Sequence, residues 1–486
     1  MILKNKGLII AAYAYLLLPV MLFLFGWLRP LYSTALALLL AGGLYRTVRG
    51  THAYRLAEKS PKKMRWVILL TLAWVALSGV GGLAWQNRWD HMFRNALFND
   101  LVAFSWPVKN FEMAEPRALI YYIGFWLPGA AFAKLFGLQA GYFFQFLYGV
   151  MGVLLALLLL FERLGKVSIK ATLLFMLYSG LDIIPYLHKA IQNGDPAALV
   201  LRNLALGRHL ELAIHTFNSS SNTTLLYWLY NQILPFWVGM LLLWRLRDNA
   251  ALLFTFALLL LFAPFPAAAL APVLVMRTMS NAGFTKGRIK QGVIAALRSL
   301  MTAANVTGAL LMLVLGLYYV SNRAVSNLSI LPFTAENMGK FWFYLSIEFA
   351  VFIPFLWKRI RRDASFWCLF LTTVVCSFIR LGNDHDFAWR TCIPFAFYLM
   401  LLMMEEVQNM NPRALRGKLL LAVFVLGAFT PGMEMLRVAE QTGRVFIGRS
   451  HEPFLSGGLK SVFDENDCYD NFVGSGDSFF FVYLAK

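Results

Sequence analysis

Charge is scarce in this chain. Only 14% of its 486 residues are Asp, Glu, Lys or Arg, against about 25% in a soluble globular protein. With 59% hydrophobic residues and a mean hydropathy of +0.61, that scarcity excludes a soluble enzyme and makes the bilayer the solvent. Acid is scarcer than base: 25 Asp and Glu stand against 44 Lys and Arg, a net charge of +19. In a soluble chain this excess would point to nucleic acid. In a polytopic chain it marks loops held against an anionic leaflet, so membrane lipids and no nucleic acid are the expected partners. Four cysteines are too few for a disulfide framework. There is no convincing internal repeat and no low-complexity stretch. No small-residue cleavage site interrupts the first apolar run before Arg29, so that run reads as a span and not as a signal peptide.

What is abundant is uncharged sequence. Runs long enough to span lie between Lys6 and Arg29, Arg29 and Arg46, Arg65 and Arg88, Lys134 and Glu162, Asp248 and Arg277, and Arg298 and Arg323, with a shorter one between Lys170 and Asp182. Another span starts at Leu225, and later ones read near 341–357, 364–379, 391–404 and 418–433. Three segments are plainly basic: Arg46 to Arg65, Arg277 to Arg298, and Lys358 to Arg362. Shorter basic connectors hold Arg163/Lys166/Lys170, Arg245/Arg247 and Arg413/Arg416/Lys418. The positive-inside rule puts all of them in the cytoplasm on two conditions. The stretch 119–137 must dip into the membrane without crossing it, and 249–276 must turn back near Pro264 and Pro266 as two short helices. The expectation is an all-α polytopic membrane protein with about 13 transmembrane helices. Re-entrant or juxtamembrane helices lie on its outer face, with the N-terminus cytoplasmic and the C-terminus outside. A transmembrane domain covers 1–436, and 437–486 forms an extracytoplasmic tail that caps it, anchored by Phe479, Phe480, Phe481 and Tyr483.

This topology gathers the long polar segments on the outer side. The first, within the outer loop 86–138, carries Asp90 and Asp100 on either side of Arg94. On one helix these acids stand about 80° apart and ~15 Å along the axis, so they form no close pair unless the helix breaks. They are either surface acids of an amphipathic loop or, at a partly dry boundary, carboxylates that can be tuned as bases. Asp182 falls at the outer end of a span, where binding a ligand and pinning a helix are equally open to it. His188 follows it. The next loop offers His209, Glu211, His215, Asn222 and Asn231. The six-residue spacing of the two histidines is not that of a helical zinc pair, so no metal is expected. The Ser/Asn/Thr cluster there is either the N-cap of the span from Leu225 or a set of sugar-binding groups beside Tyr227, Trp228 and Tyr230. A last polar turn packs Arg380, Asn383, Asp384, His385, Asp386 and Arg390 between two short spans. Its arginines either snorkel and neutralise the acids or grip a phosphate at headgroup level. Glu348, inside a span, needs a partner or a cavity.

One resemblance follows from these residues. A long first outer loop has an acid soon after the preceding span. It is followed by Tyr121-Tyr122-Ile123-Gly124-Phe125-Trp126-Leu127-Pro128 and then Lys134-Leu135-Phe136-Gly137. This pattern resembles the GT-C superfamily of integral-membrane glycosyltransferases. The resemblance implies that Asp90 and Asp100 are the catalytic candidates, Asp90 at the position of the family's acid. Many members carry adjacent acids, whereas Asp90 is followed by His91, so no metal role is carried over and no cofactor is expected. Arg94, Asp182, His188, His209, His215, Asn222 and Asn231 become substrate-binding candidates. So do Arg380, Asn383, Asp384, Asp386 and Arg390. The implied partners are a polyprenyl-phosphate-linked sugar and a glycan, lipid or protein acceptor, met at the outer face of a bacterial inner membrane. A lipid-linked-sugar flippase and a glycan polymerase or ligase are the alternatives.

Overall fold

Helices make up 75% of the structure, a computed structural model that describes residues 6–51, 60–110, 116–205, 207, 209–211, 216–284, 288–322, 328–381, 385–448, 459–464 and 469–486. In chain order, α1 (Gly7–Trp27) and α2 (Pro30–Gly50) precede α3 (Pro61–Leu77) and α4 (Arg88–Ala103). Short α5 (Leu127–Phe136) folds back against long α6 (Leu138–Leu164). Then come α7 (Ile169–Leu177), α8 (Ile183–Gln192), α9 (Ala197–Ala205) and α10 (Asn222–Arg245). The middle continues with α11 (Leu252–Leu260), α12 (Pro264–Asn281), α13 (Ile289–Leu300) and α14 (Ala303–Val320). The final third holds α15 (Ala335–Glu348), α16 (Ile353–Ile360), α17 (Ala364–Cys376), α18 (Asp386–Thr391), α19 (Ile393–Asn409), α20 (Leu415–Gly427) and α21 (Phe429–Phe446).

Among the described residues, eight helical stretches are long and apolar enough to cross a membrane. The chain is therefore a nearly all-α, multi-pass membrane protein. α10 is the most enclosed of the eight, with 89% of its most apolar stretch buried, and it carries Asn222, Asn231 and Gln232 into the interior. The run between Lys170 and Asp182 departs from expectation: α7 has only nine residues, and the chain from Tyr178 to Leu181 is not helical. Other elements satisfy that backbone. The Asn222 amide donates to the Tyr178 carbonyl and the Leu181 amide to the Ile347 carbonyl. Irregular backbone at depth is tolerated only when protein covers it in this way.

Helix breaks fall within both stretches expected to turn back, and the two breaks meet. α5, at ten residues, is too short to span. α11 and α12 are separated at Leu261–Ala263, with Pro264 starting the second helix. Asn249 beside α11 bonds Thr278 and Asn281 of α12, so the pair returns to the level at which it began. At the tips, the Gly124 amide donates to the Leu261 carbonyl at 3.1 Å. A Cβ on Gly124 would lie 2.7 Å from the Phe262 ring, so only glycine allows this approach. Tyr319 donates to the Leu260 carbonyl that the end of α11 leaves free.

The basic connectors converge on one end. Lys6 donates to the Val48 and Arg49 carbonyls, Arg277 caps Leu243 and Leu246, and Arg245 pairs with Glu162. Arg163 and Arg359 share Glu405, while Arg416 takes Glu406. The opposite end carries the only sheets among the described residues. β1 (Lys109–Asn110), β2 (Arg117–Leu119) and β5 (Val473–Ser475) form one, with order β1-β2-β5 and Leu119 opposite Val473; β3 (Leu328–Ile330) pairs with β4 (Ile379–Leu381). These strands qualify the all-α expectation. They also show how the tail docks: β5 extends the sheet of the first long loop, and Arg29 holds the Ala485 and Val482 carbonyls. Only two of the four expected aromatic anchors are buried. Phe480 and Phe481 pack against Tyr318, whereas Phe479 and Tyr483 are exposed and contact each other at a tilt.

Candidate functional site

α4 begins with the device its sequence suggests. Asn87 caps it by accepting the Asp90 amide at 3.0 Å, which places an acid in the first turn where the helix dipole favours one. A glycine turn aims the helix: Gly79 and Gly81 both have positive φ, near +77° and +78°. The Gln86 amide donates to the Gly79 carbonyl and accepts from Asn95, which ties α4 to that turn. The helix is unbroken from Arg88 to Ala103, so Asp90 and Asp100 stay well apart.

Asp90 has company from distant parts of the chain. Arg94, Asp386, Arg390 and His209 all act on its carboxyl, and the nearest Arg94 nitrogen is 3.8 Å away. The Asp90 side chain keeps 36% exposure, yet burial pushes its carboxyl above the usual range against the pull of Arg94. Both hold only if water reaches the group along a cleft and not across an open surface. Such a carboxyl is suited to act as a base, because its proton affinity is raised while access remains.

The two guanidiniums are the second half of the site. Arg94 is buried and lies 5.3 Å above the centre of the Tyr230 ring, and Arg390 is buried and paired with Asp386. Arg94 Nη1 and Arg390 Nε have no hydrogen-bond partner among the described residues. Between them stands a tyrosine pair, Tyr121 donating to Tyr122 at 2.5 Å, and both arginines act on both rings. Tyr318 fixes the pair from behind by accepting the Tyr121 amide and donating to its carbonyl. His91 packs against Tyr230, and burial together with Arg94 holds its imidazole well below the usual value, so it is neutral.

Next to this cluster, His209 pairs with Glu434 and stacks on Trp228, which donates to the same carboxylate. Burial lowers the His209 imidazole, but Glu434 and then Glu211 outweigh it and raise the group overall. Arg437 completes the set through Glu434 at 2.5 Å and by lying over Trp228. Glu211 accepts the Ser221 amide. Burial, then Asp182, pushes its carboxyl up to about 7. Asp182 accepts from Ser179 and Thr430 and is hydrogen-bonded to Glu348, the partner that Glu348 requires. A hydrogen bond between two carboxyls needs a proton on one of them.

Other candidates lie elsewhere. Asp100 is buried and accepts the Val462 amide at 2.9 Å, so it holds the tail. Asn222 bonds the Phe175 carbonyl and the Met400 sulfur inside the core, and Ser221 caps α10 ahead of it. Asn231 is buried in the same helix. His188 is exposed near Phe343, and Arg380 bonds His385 at 3.0 Å. His215, Asn383 and Asp384 lie outside the described residues. No group of three His, Cys, Asp or Glu among the described residues is placed to share a metal. Sequence reasoning missed Glu434, Arg437 and the Tyr121–Tyr122 pair. Glu434 had a signal, since a carboxylate at the edge of an apolar run needs a partner. The tyrosines had none beyond their place in the stretch expected to dip into the membrane. No protein-family model, curated protein or solved structure matches the chain.

Proposed function

We propose that the chain is an integral-membrane glycosyltransferase of GT-C-like architecture, moving a sugar from a polyprenyl-phosphate donor to a hydroxyl acceptor on a glycan, lipid or protein. The observation that carries this reading is the convergence of Asp90 with Arg94 and Arg390, from two distant segments, beside the re-entrant tip at Tyr121–Tyr122. In the reaction, Asp90 takes the proton of the acceptor hydroxyl as its oxygen bonds the anomeric carbon. The bond from that carbon to the phosphate oxygen breaks, and the lipid phosphate leaves with the electron pair. The transition state has oxocarbenium character, which a nearby carboxylate stabilises. Arg94 and Arg390 have free N–H groups for the departing phosphate, and guanidinium geometry suits that contact.

About thirteen crossings, an N-terminus in the cytoplasm and a tail outside belong to the same proposal, with a bacterial plasma membrane as the location. The clustering of the basic connectors at one end supports the sidedness. A second reading, a carrier of the same lipid-linked sugar, is favoured by the buried Asp182–Glu348 pair, since buried carboxyls in membrane proteins mark proton relays. One experiment separates the two. Purified protein is incubated with a polyprenyl-phosphate sugar and candidate acceptors, and the lipids are followed by mass spectrometry. Release of bare polyprenyl phosphate with a glycosylated acceptor supports the transferase, whereas donor retained unchanged but moved across vesicles supports the carrier.

A further inference from the structure

The basic end holds a cavity of about 1010 Å³ between the ends of α2, α6, α10 and α14, at the upper limit of small-ligand sites. Five arginines line it, Arg46, Arg49, Arg163, Arg245 and Arg247, against two carboxylates, Glu162 and Asp248. Glu162 is taken by Arg245 at 3.0 Å, and Arg163 is engaged with Glu405. Arg46, Arg49 and Arg247 have no carboxylate partner among the described residues. Helix ends often explain such arginines, because free carbonyls at a C-terminus attract cations. Here that task is done by other residues: Lys6 bonds the last carbonyls of α2, and Arg277 bonds those at the end of α10. The N-terminus of α14, at Thr302 to Ala304, faces the same space and adds positive potential.

The rim of this cavity is amphiphilic. α13 has an exposed apolar stripe, Ile289, Val293, Leu297 and, one turn on, Met301, while Arg288, Lys290 and Arg298 occupy other positions around it. A helix of this kind lies in the plane of the membrane interface. Met301 also lines the cavity, so the apolar stripe of α13 runs up to its rim. Leu159, Leu164, Leu241 and Trp244 supply an apolar wall behind it.

We propose that this cavity is an anion site that binds the phosphate of an anionic lipid headgroup, held by Arg46, Arg49 and Arg247. It is separate from the proposed sugar-transfer site, since Arg245 is about 22 Å along α10 from Tyr230. The inference therefore stands whether or not the chain is a transferase.

The test uses native mass spectrometry on full-length protein in detergent, titrated with phosphatidylglycerol, with phosphatidylcholine or with inorganic phosphate. Phosphatidylglycerol is expected to bind in preference to phosphatidylcholine. The Arg46→Gln/Arg49→Gln/Arg247→Gln variant should lose at least ~10-fold in that affinity, the effect of one charge-assisted contact. If the triple variant does not fold, Arg247→Gln alone carries the test, since Arg247 is exposed and removing it leaves no carboxylate stranded. Inorganic phosphate that binds with the same arginine dependence, and displaces the lipid, would retain the anion site and assign it a soluble source. Equal binding of both lipids, or anion binding indifferent to the arginines, overturns the proposal.

Discussion

Asp90 and Asp100 occupy one helix, ten residues apart, and have opposite fates. Asp90 keeps partial exposure where Arg94, Arg390 and His209 act on its carboxyl, and among the described residues its oxygens are not spent on backbone amides. Asp100 is closed off and accepts the Val462 amide of the tail. Burial raises both carboxyls, so proton affinity alone does not tell a base from a strut. Access and neighbours do. The same contrast divides the arginines, since Arg245 is spent on Glu162 whereas Arg390, though paired, keeps a free Nε.

The largest expected effect tests the first half of this contrast. Asp90→Asn preserves shape and hydrogen bonding but cannot accept a proton at neutral pH. Turnover with a polyprenyl-phosphate sugar should fall at least ~100-fold, the lower range for general-base catalysis, with thermal stability and donor binding near wild type. Full turnover in folded Asp90→Asn protein would remove Asp90 as the base.

Arg390 comes next. Arg390→Ala should weaken donor binding about 10- to 100-fold, the loss of a charge-assisted hydrogen bond. Arg390→Lys should lie between, because a point charge replaces a planar fork. Donor titration by native mass spectrometry reads both. Unchanged affinity in both variants would mean that Arg390 serves Asp386 alone.

The backbone that carries the tyrosine pair should be less tolerant than its exposed position in sequence implies. Gly124→Ala forces a methyl against the Phe262 ring and the Leu261 carbonyl. Overpacking of this kind costs about 1–3 kcal/mol. A lowered thermal midpoint with reduced turnover is expected. No change would mean that the two helix breaks, at Gly124 and at Leu261–Phe262, separate freely.

How much of this was legible follows from the range of the forces involved. Apolar runs and basic connectors are local, so the polytopic class, the break at Pro264 and the cap ahead of Leu225 could be read from sequence. The breakdown of the run before Asp182 could not, because nothing local says that Tyr178 and Leu181 are satisfied by α10 and α15. The meeting of Asp90, Asp386, Arg390 and His209 depends on packing between segments up to three hundred residues apart. Asp386 and Arg390 were legible as neighbours in one polar turn, but nothing there, or around Asp90 and His209, announced that the three segments meet. Asp100 stood beside Asp90 as a second candidate because its partner is the backbone of the tail, which no side-chain pattern encodes.

Asp100→Asn is the smallest effect and the finest test of the comparison. Burial, offset by bonds from Val462 and Ser461 and reinforced by Asp464, pushes the Asp100 carboxyl up from 3.8 to about 6. A folded-state value above the unfolded one means that the protonated acid suits the fold better than the charged one. Its contribution is therefore full below about pH 4 and is lost as the pH rises through about 6. At neutral pH the docked tail holds a buried charge, and an amide removes that charge while keeping an oxygen for the Val462 amide. Asp100→Asn should accordingly raise the thermal midpoint at neutral pH. The difference from wild type should shrink as the pH falls through about 6 and vanish near 4. Turnover should stay close to wild type throughout. A loss of turnover comparable to that of Asp90→Asn, with no pH-dependent change in stability, would place both acids in the reaction and erase the distinction between the two ends of α4.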